Sequence, residues 1–166
     1  MVHALEEVRR VLVPDGVLLD IRPLADRWPV EVDSGSRLQE TGHLDDLPAQ
    51  VNADLASNEA MREAEARGWF GREQEELFPL FYSWDRPSEM EEFIAEEWSD
   101  FIGLGEEAKQ ATRSAWALGD ADSRVRVRVK ILITKWRVRS ADRNAYQRST
   151  AVPDRSGPGP ADRSAG

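Results

Sequence analysis

Apolar and polar residues alternate along this chain with periods that change from helical to extended. Near the start, five apolar residues share one face at helical spacing: Val2, Leu5, Val8, Val11 and Leu12. Pro14-Asp15-Gly16 then ends the predicted helix and turns the chain. The apolar run 17–21 that follows predicts a short strand covered on both faces, as in a parallel sheet. This order of helix, turn and buried strand is half of a βαβ unit.

The same patterns predict the elements that follow, with residues 23–47 otherwise irregular. We expect a short strand over 28–32, helices over 48–67, 88–102 and 106–117, and strands over 73–84 and 124–138. Pro79 lies inside one of these strands and lacks an N–H donor, which predicts the edge of a sheet or a bulge. Ser88 and Glu91 predict a capping box at the start of the 88–102 helix.

The last predicted strand changes character along its length. Its odd positions are apolar from Val125 to Ile133, whereas the even positions change from Arg126, Arg128 and Lys130 to Leu132 and Trp136. The pattern therefore predicts a half-exposed first part and a second part buried on both faces. Residues 140–166 are rich in Ser, Asp, Arg, Pro and Gly. We expect one domain over 1–139, followed by a disordered tail.

Composition excludes several classes of function. The 166 residues carry a formal net charge of −9, which disfavours binding to nucleic acid. Cysteine is absent, so disulfides, thiolate nucleophiles and zinc–thiolate sites are excluded. Two histidines make a metal centre built on several histidines improbable. Neither a membrane-spanning run nor a secretory signal pattern is present, and we expect a cytoplasmic protein with no membrane partner.

The opening stretch resembles a known family. Arg10-Val11-Leu12-Val13-Pro14-Asp15-Gly16 is similar to the "R-V-L-x-P-G-G" motif of class I S-adenosylmethionine-dependent methyltransferases, with Asp15 in place of the first glycine. In that family the motif leads into the fifth strand of a seven-stranded sheet. A sixth strand at the edge and an antiparallel seventh strand, inserted between the fifth and the sixth, complete that side. The resemblance assigns these three positions to 17–21, 73–84 and 124–138.

The resemblance implies an α/β fold, namely a truncated Rossmann-like methyltransferase fold with about three main strands. One parallel pair with an antiparallel strand inserted between its members would form the sheet, with helices around it. The family holds its cofactor with a glycine-rich loop after the first strand, and no Gly-x-Gly follows a predicted strand here. Gly103-Leu104-Gly105 is predicted to join two helices. We therefore expect the C-terminal, substrate-side half of the fold, without its cofactor-binding N-terminal half.

Two functional hypotheses follow. In the first, the chain is a methyltransferase-like protein that does not bind S-adenosylmethionine alone. A second chain supplies the missing cofactor-binding half, and the substrate is a small-molecule methyl acceptor. In the second, it is a non-catalytic remnant or interaction module that pairs, with itself or another chain, through an exposed strand edge. Whether the chain is an enzyme stays open between them. No catalytic residue, cofactor-binding residue or metal ligand is assigned.

Four residues are candidates for the substrate side. Arg22 follows the predicted fifth strand, where open α/β sheets place ligands, and its guanidinium suits an anionic group. Tyr82, Trp84 and Asp85 end the predicted sixth strand and are candidates for an aromatic wall. Each also has a structural interpretation, as a paired strand-end charge or as packing residues.

Other chemistry-bearing residues have stronger structural interpretations. His3 is interpreted as incidental, and His43 beside Asp45 and Asp46 as a solvated loop in preference to a metal site. The glutamates of the 88–102 helix predict a solvated face. The basic row from Arg124 to Lys130 predicts a solvent face with acidic neighbours in preference to a nucleic-acid surface.

Overall fold

A computed structural model describes residues 1–35 and 37–139. The predicted tail over 140–166 and Ser36 of a predicted turn lie outside the described residues. The helices are α1 (Val2–Val11), α2 (Pro48–Ala66), α3 (Pro87–Phe93), a π-helix (Ile94–Trp98) and α4 (Glu106–Ala117). The strands are β1 (Val17–Pro23), β2 (Pro29–Asp33), β3 (Leu38–His43), β4 (Asp45–Asp46), β5 (Phe70–Trp84), β6 (Ile102–Gly103) and β7 (Arg124–Val138).

The strand β7 organises the main sheet. One of its edges pairs with β5 along the whole strand, from Trp84 opposite Val125 to Phe70 opposite Val138. Its other edge is shared, because β2 pairs with the first part of β7 and β1 pairs with the last part. Strand β3 extends the sheet beyond β2, and every pair is antiparallel. Since β7 is antiparallel to both β1 and β5, these two strands run in the same direction.

Helices cover β7 on opposite faces at its two ends. The odd face, defined by the odd-numbered residues of β7 and their partners, is covered at its first half by α3, the π-helix and α4. The core there contains Val127 and Val129 of the strand and Met90 and Ile94 of the helices. The even face is covered at its second half by α1 and α2. Its core includes Trp136 and Val138 of β7 and Met61 and Ala64 of α2.

Because the helices pack on different faces at the two ends of β7, half of each face of the sheet has no helix over it. On the even face the open half carries Arg126, Arg128 and Lys130, as expected for a solvent face. On the odd face it carries Val17, Leu19 and Ile21 of β1, of which Leu19 is 54% exposed and Ile21 57% exposed. The predictions that 17–21 and the second half of β7 are buried on both faces are therefore wrong.

The turn between α1 and β1 explains the Pro-Asp-Gly sequence. Asp15 has a φ of 60°, a left-handed conformation that aspartate tolerates better than most residues and glycine adopts freely. A Cβ on Gly16 would lie 2.8 Å from the Val13 carbonyl oxygen, so only glycine fits there. Asp15 and Gly16 together therefore make the sharp reversal between α1 and β1.

Most of the predicted elements are confirmed. The helix α2 begins at Pro48 and ends before Gly68, which has a φ of 72°. The long strand over 124–138 has the predicted bounds, and the strand containing Pro79 lies at the edge of the sheet, where no donor is needed. The glutamates on the outer face of the 88–102 segment are exposed.

Three local predictions are wrong. Residues 23–47 were predicted to be mostly irregular but contain β3 and β4 as well as β2. The 88–102 segment is α3 followed by a π-helix and the short strand β6 instead of one continuous helix. Its capping box does not form, since Arg86 is the N-cap residue and no side chain caps the helix. These differences depend on pairing and packing with distant segments, which local patterns do not contain.

The fold class is α/β, with helices against an antiparallel sheet. The described residues contain no hydrogen-bonded parallel pair, so the Rossmann-like part of the expectation is not seen directly. Within the described ranges, none of the helices combines the length and apolar character needed to cross a membrane.

The edge pair β5–β7 generates a prediction about pH. Glu73 accepts hydrogen bonds from Arg137 and lies 3.0 Å from the Lys135 ammonium, and these two cations lower the pKa of Glu73 from 4.5 to about 2. A carboxylate whose pKa is depressed by folding stabilises the folded state above its unfolded pKa. This contribution is lost as the pH falls from about 4.5 towards 2. Glu73→Gln should therefore lower the melting temperature at pH 7 and have no effect near pH 2.

Glu92→Gln is the matched control, because this exposed glutamate makes no ion pair among the described residues. Its melting temperature should follow that of the unmodified chain at every pH. A Glu73→Gln difference that is the same at pH 2 and pH 7 would contradict the ion-pair assignment.

Candidate functional site

An open cleft of about 750 Å³ lies at the carboxyl end of β1. We call it the β1 cleft; its lining comes from the loop after β1 (25–28), the start of β2, strand β3, Asp46 of β4, and the middle of β5 and β7. The loop is tied to β7 by a hydrogen bond from the Leu24 N–H to the Lys130 carbonyl oxygen. Small-molecule sites commonly have volumes of about 300–1,000 Å³, and open sheets tend to place them at the carboxyl ends of strands.

Charged side chains on the open even face form one wall of the β1 cleft. The Lys130 ammonium lies 2.8 Å from Asp26, and the Arg128 guanidinium lies 3.6 Å from Glu40. His43 lies on the same wall, with its Nε2 atom 3.4 Å from Glu40. The basic row therefore has acidic neighbours, as the sequence predicts.

Behind this wall, a buried carboxylate holds two arginines. Glu31 is 3% exposed and accepts hydrogen bonds from the Nε atoms of Arg126, at 2.7 Å, and Arg128, at 3.0 Å. Arg126 also donates to Asp33 at 3.3 Å. Since each Glu31 oxygen takes one arginine, this network fixes the spacing of the basic row beside the cleft.

The loop that lines the cleft is conformationally unusual. Arg27 has a φ of 45°, a region that non-glycine residues occupy rarely. Its backbone N–H donates to the Asp46 carboxylate at 2.9 Å, while its side chain lies 3.7 Å from Asp45. The other wall of the cleft is apolar and contains Leu77, Phe78 and Pro79 of β5. The β1 cleft thus combines an apolar wall with convergent polar groups, as ligand sites do.

The four candidates from the sequence do not meet in this cleft. Tyr82 and Trp84 lie on the odd face with ring centroids 6.3 Å apart, and both pack against Phe93. Asp85 is exposed and lies 3.3 Å from the Arg124 guanidinium. Tyr82 and Trp84 therefore belong to an aromatic cluster, and Asp85, next to them in the chain, makes an exposed ion pair.

Arg22 lies on the even face of the sheet, against α2, whereas Tyr82 and Trp84 lie on the odd face. Its Nη2 atom donates to Asn58 at 2.7 Å, and its other nitrogens lie 3.5 Å from Asp20 and 3.8 Å from Asp54. Arg22 pairs in register with Leu132, whereas Tyr82 pairs with Val127, so the two candidates are separated along β7 as well as by face.

Sequence reasoning gave structural interpretations to His43, Asp46, Arg128 and Lys130 and did not predict that they line one cleft. The predicted fifth strand ended at Ile21, but β1 continues to Pro23, and the first residues that turn over the sheet are Ala25 and Asp26. The predicted strand end was placed two residues too early, so the candidate taken from that end, Arg22, does not lie at the cleft. No sequence signal indicated that β3 would bring His43 to the same place.

No family model, curated protein or solved structure matches this chain.

The one Gly-x-Gly sequence in the described ranges does follow a strand, which corrects the expectation that it joins two helices. Gly103 ends β6, and Gly105 is the N-cap residue of α4. However, a Cβ on Gly105 would lie 3.9 Å from an Asp45 carboxylate oxygen, and Glu106 and Glu107 occupy the first turn. Strand β6 has two residues and pairs antiparallel with β4. These residues do not fit S-adenosylmethionine in the manner of the family.

Across 1–35 and 37–139, no group of three or more histidine, aspartate or glutamate side chains is placed to hold a metal ion. His43 instead faces Glu40, and Asp45 faces Arg27. His3 is fully exposed on α1 beside Glu6.

The buried position of Glu31 predicts its contribution to stability. Glu31→Gln removes the charge that compensates Arg126 and Arg128. Removing one partner of a fully buried pair costs about 3–5 kcal/mol, and the partial exposure of both arginines reduces this to about 1–3 kcal/mol. Urea unfolding monitored by circular dichroism measures the loss. Glu40→Gln, at a half-exposed carboxylate beside Arg128, should cost less than about 1 kcal/mol. Equal losses in the two variants would contradict the role given to Glu31.

Proposed function

We propose that this chain is the substrate-side part of a class I S-adenosylmethionine-dependent methyltransferase fold, and that a second polypeptide segment supplies the cofactor-binding strands. The observation that carries the proposal is the arrangement of β1, β7 and β5. In the family, the antiparallel seventh strand lies between the fifth and the sixth, which run in one direction. Here β7 lies between β1 and β5 and is antiparallel to both.

The free edge of β1 supports the second part of the proposal. Among the described residues, β1 pairs with β7 on one edge and with no strand on the other. Three apolar side chains beside that edge, Val17, Leu19 and Ile21, are 40–57% exposed. An exposed apolar strand with unpaired backbone groups is a template for another strand. In the family, the strands of the cofactor half occupy this side of the fifth strand.

The odd face extends this surface towards β5. Ile21, Ile133 and Glu76 lie opposite one another across the three strands, and Phe78 and Leu80 follow on β5. Phe78 and Leu80 are 41% and 42% exposed. Apolar side chains that lie side by side on an uncovered sheet face mark an interaction surface. A complementary segment that adds a strand to β1 would also place helices over this face.

The second hypothesis, a non-catalytic interaction module, rests on the same edge. It requires only that a strand of another molecule, or of a second copy, pairs with β1. The two hypotheses differ in what the completed assembly binds. A methyltransferase assembly takes up the cofactor, whereas an interaction module does not.

The test is coexpression with the polypeptide encoded directly upstream. We expect that region to encode a strand followed by a glycine-rich loop, the two polypeptides to copurify, and the assembly to bind S-adenosylhomocysteine in isothermal titration. Residues 1–166 alone should give no heat with the same ligand. An upstream region without such a segment, or an assembly that does not bind, would overturn the methyltransferase proposal. Saturable binding to the chain alone would overturn the need for a second segment.

Leu19→Asp tests the docking surface itself. Leu19 is exposed in this fold, so the variant should keep the melting temperature of the unmodified chain, whereas an aspartate at the docked edge should weaken assembly at least about tenfold. Leu118→Asp is the matched control, at a side chain that is 88% exposed at the end of α4, away from β1. Equal assembly of the two variants would exclude the β1 edge as the docking site.

A further inference from the structure

The β1 cleft contains one carboxylate without a cation. Asp26 and Glu40 are neutralised by Lys130 and Arg128, but Asp46 makes no ion pair with any described side chain. Its Oδ2 atom accepts the N–H of Arg27. Its Oδ1 atom is shielded from solvent and has no hydrogen-bond donor among the described residues. A shielded carboxylate oxygen without a donor is energetically costly, and a ligand that donates to it removes that cost.

We propose that the β1 cleft binds a small organic amine, with its ammonium group on Asp46 and its apolar body against β5. The cleft volume of about 750 Å³ suits a small molecule. Leu77 and Pro79 line the cleft from the even face of β5, and Leu77 is 54% exposed, so they offer apolar surface to the ligand.

The charges of the lining favour an amine over an anion. The lysine and arginine side chains of the lining already hold carboxylates: Lys130 holds Asp26, Arg128 holds Glu40 and the buried Glu31, and Arg27 holds Asp45. An anionic ligand would have to displace one of these carboxylates. An ammonium group displaces nothing, because Asp46 is the carboxylate that still lacks a cation. The left-handed conformation of Arg27 fixes the loop that presents its N–H to Asp46, which holds the carboxylate in place.

Three probes with a phenyl group distinguish a cationic, a neutral and an anionic ligand: 2-phenylethylamine, 2-phenylethanol and 3-phenylpropionate. We expect NMR titration of the full chain to show that the amine binds at least about tenfold more tightly than the neutral and anionic probes. Amide shifts should concentrate at Arg27, Asp46 and Phe78. Equal affinities, or tighter binding of the anion, would overturn the proposal, and this comparison needs no variant.

Asp46→Asn keeps the acceptor for the Arg27 N–H and removes the charge. It should weaken binding of the amine about tenfold and leave binding of the alcohol unchanged. Asp122→Asn, at an exposed aspartate in the turn before β7, is the matched control and should leave all three affinities unchanged. An amine affinity that is the same in both variants would overturn the role of Asp46. The outcome does not depend on the proposed function, because it requires neither the cofactor nor a second polypeptide.

Discussion

The pairing of β7 with three other strands is the constraint on which the rest of the structure depends. Strand β5 lies along all of one edge, while β2 and β1 divide the other. An element that lost its register with β7 would lose its place in the fold. Because side chains alternate between faces, this single strand also sets which residues of each partner face the same helices.

The change in composition along β7 determines how the helices are arranged. The even positions of its first half are Arg and Lys, which pair with the buried Glu31 and with Asp26 and Glu40. Helices covering this half would desolvate these charges, so they pack on the odd face instead. In the second half, the even positions Leu132, Thr134 and Trp136 are buried, and Trp136 packs in one core with residues of α1 and α2. The helices therefore pack on the odd face of the first half of β7 and on the even face of the second half.

This arrangement leaves two open surfaces with different chemistry. The charged half of the even face borders the β1 cleft, where convergent polar groups suit a small ligand. The apolar half of the odd face adjoins the free edge of β1, where backbone groups and Val17, Leu19 and Ile21 suit another polypeptide. Both surfaces meet at β1, one at its carboxyl end and one along its edge. A segment docked on β1 would therefore lie close to the mouth of the cleft.

The sequence by itself determined the local elements: the helix that begins at Pro48, the edge position of the strand containing Pro79, and the full extent of β7 with its alternation. Each depends on neighbouring residues, through backbone restriction by proline and glycine or through the period of apolar positions. Only the tertiary structure decided that Val17–Pro23 is covered on one face, since the nearly continuous apolar run over 17–21 carries no information about which distant segment packs on it. Tertiary structure also decided that Asp46, Arg128 and Phe78 line one cleft. These residues are far apart in the chain: the register of β7 with β5 brings Arg128 and Phe78 together, and the hydrogen bond from the Arg27 N–H holds Asp46 beside them.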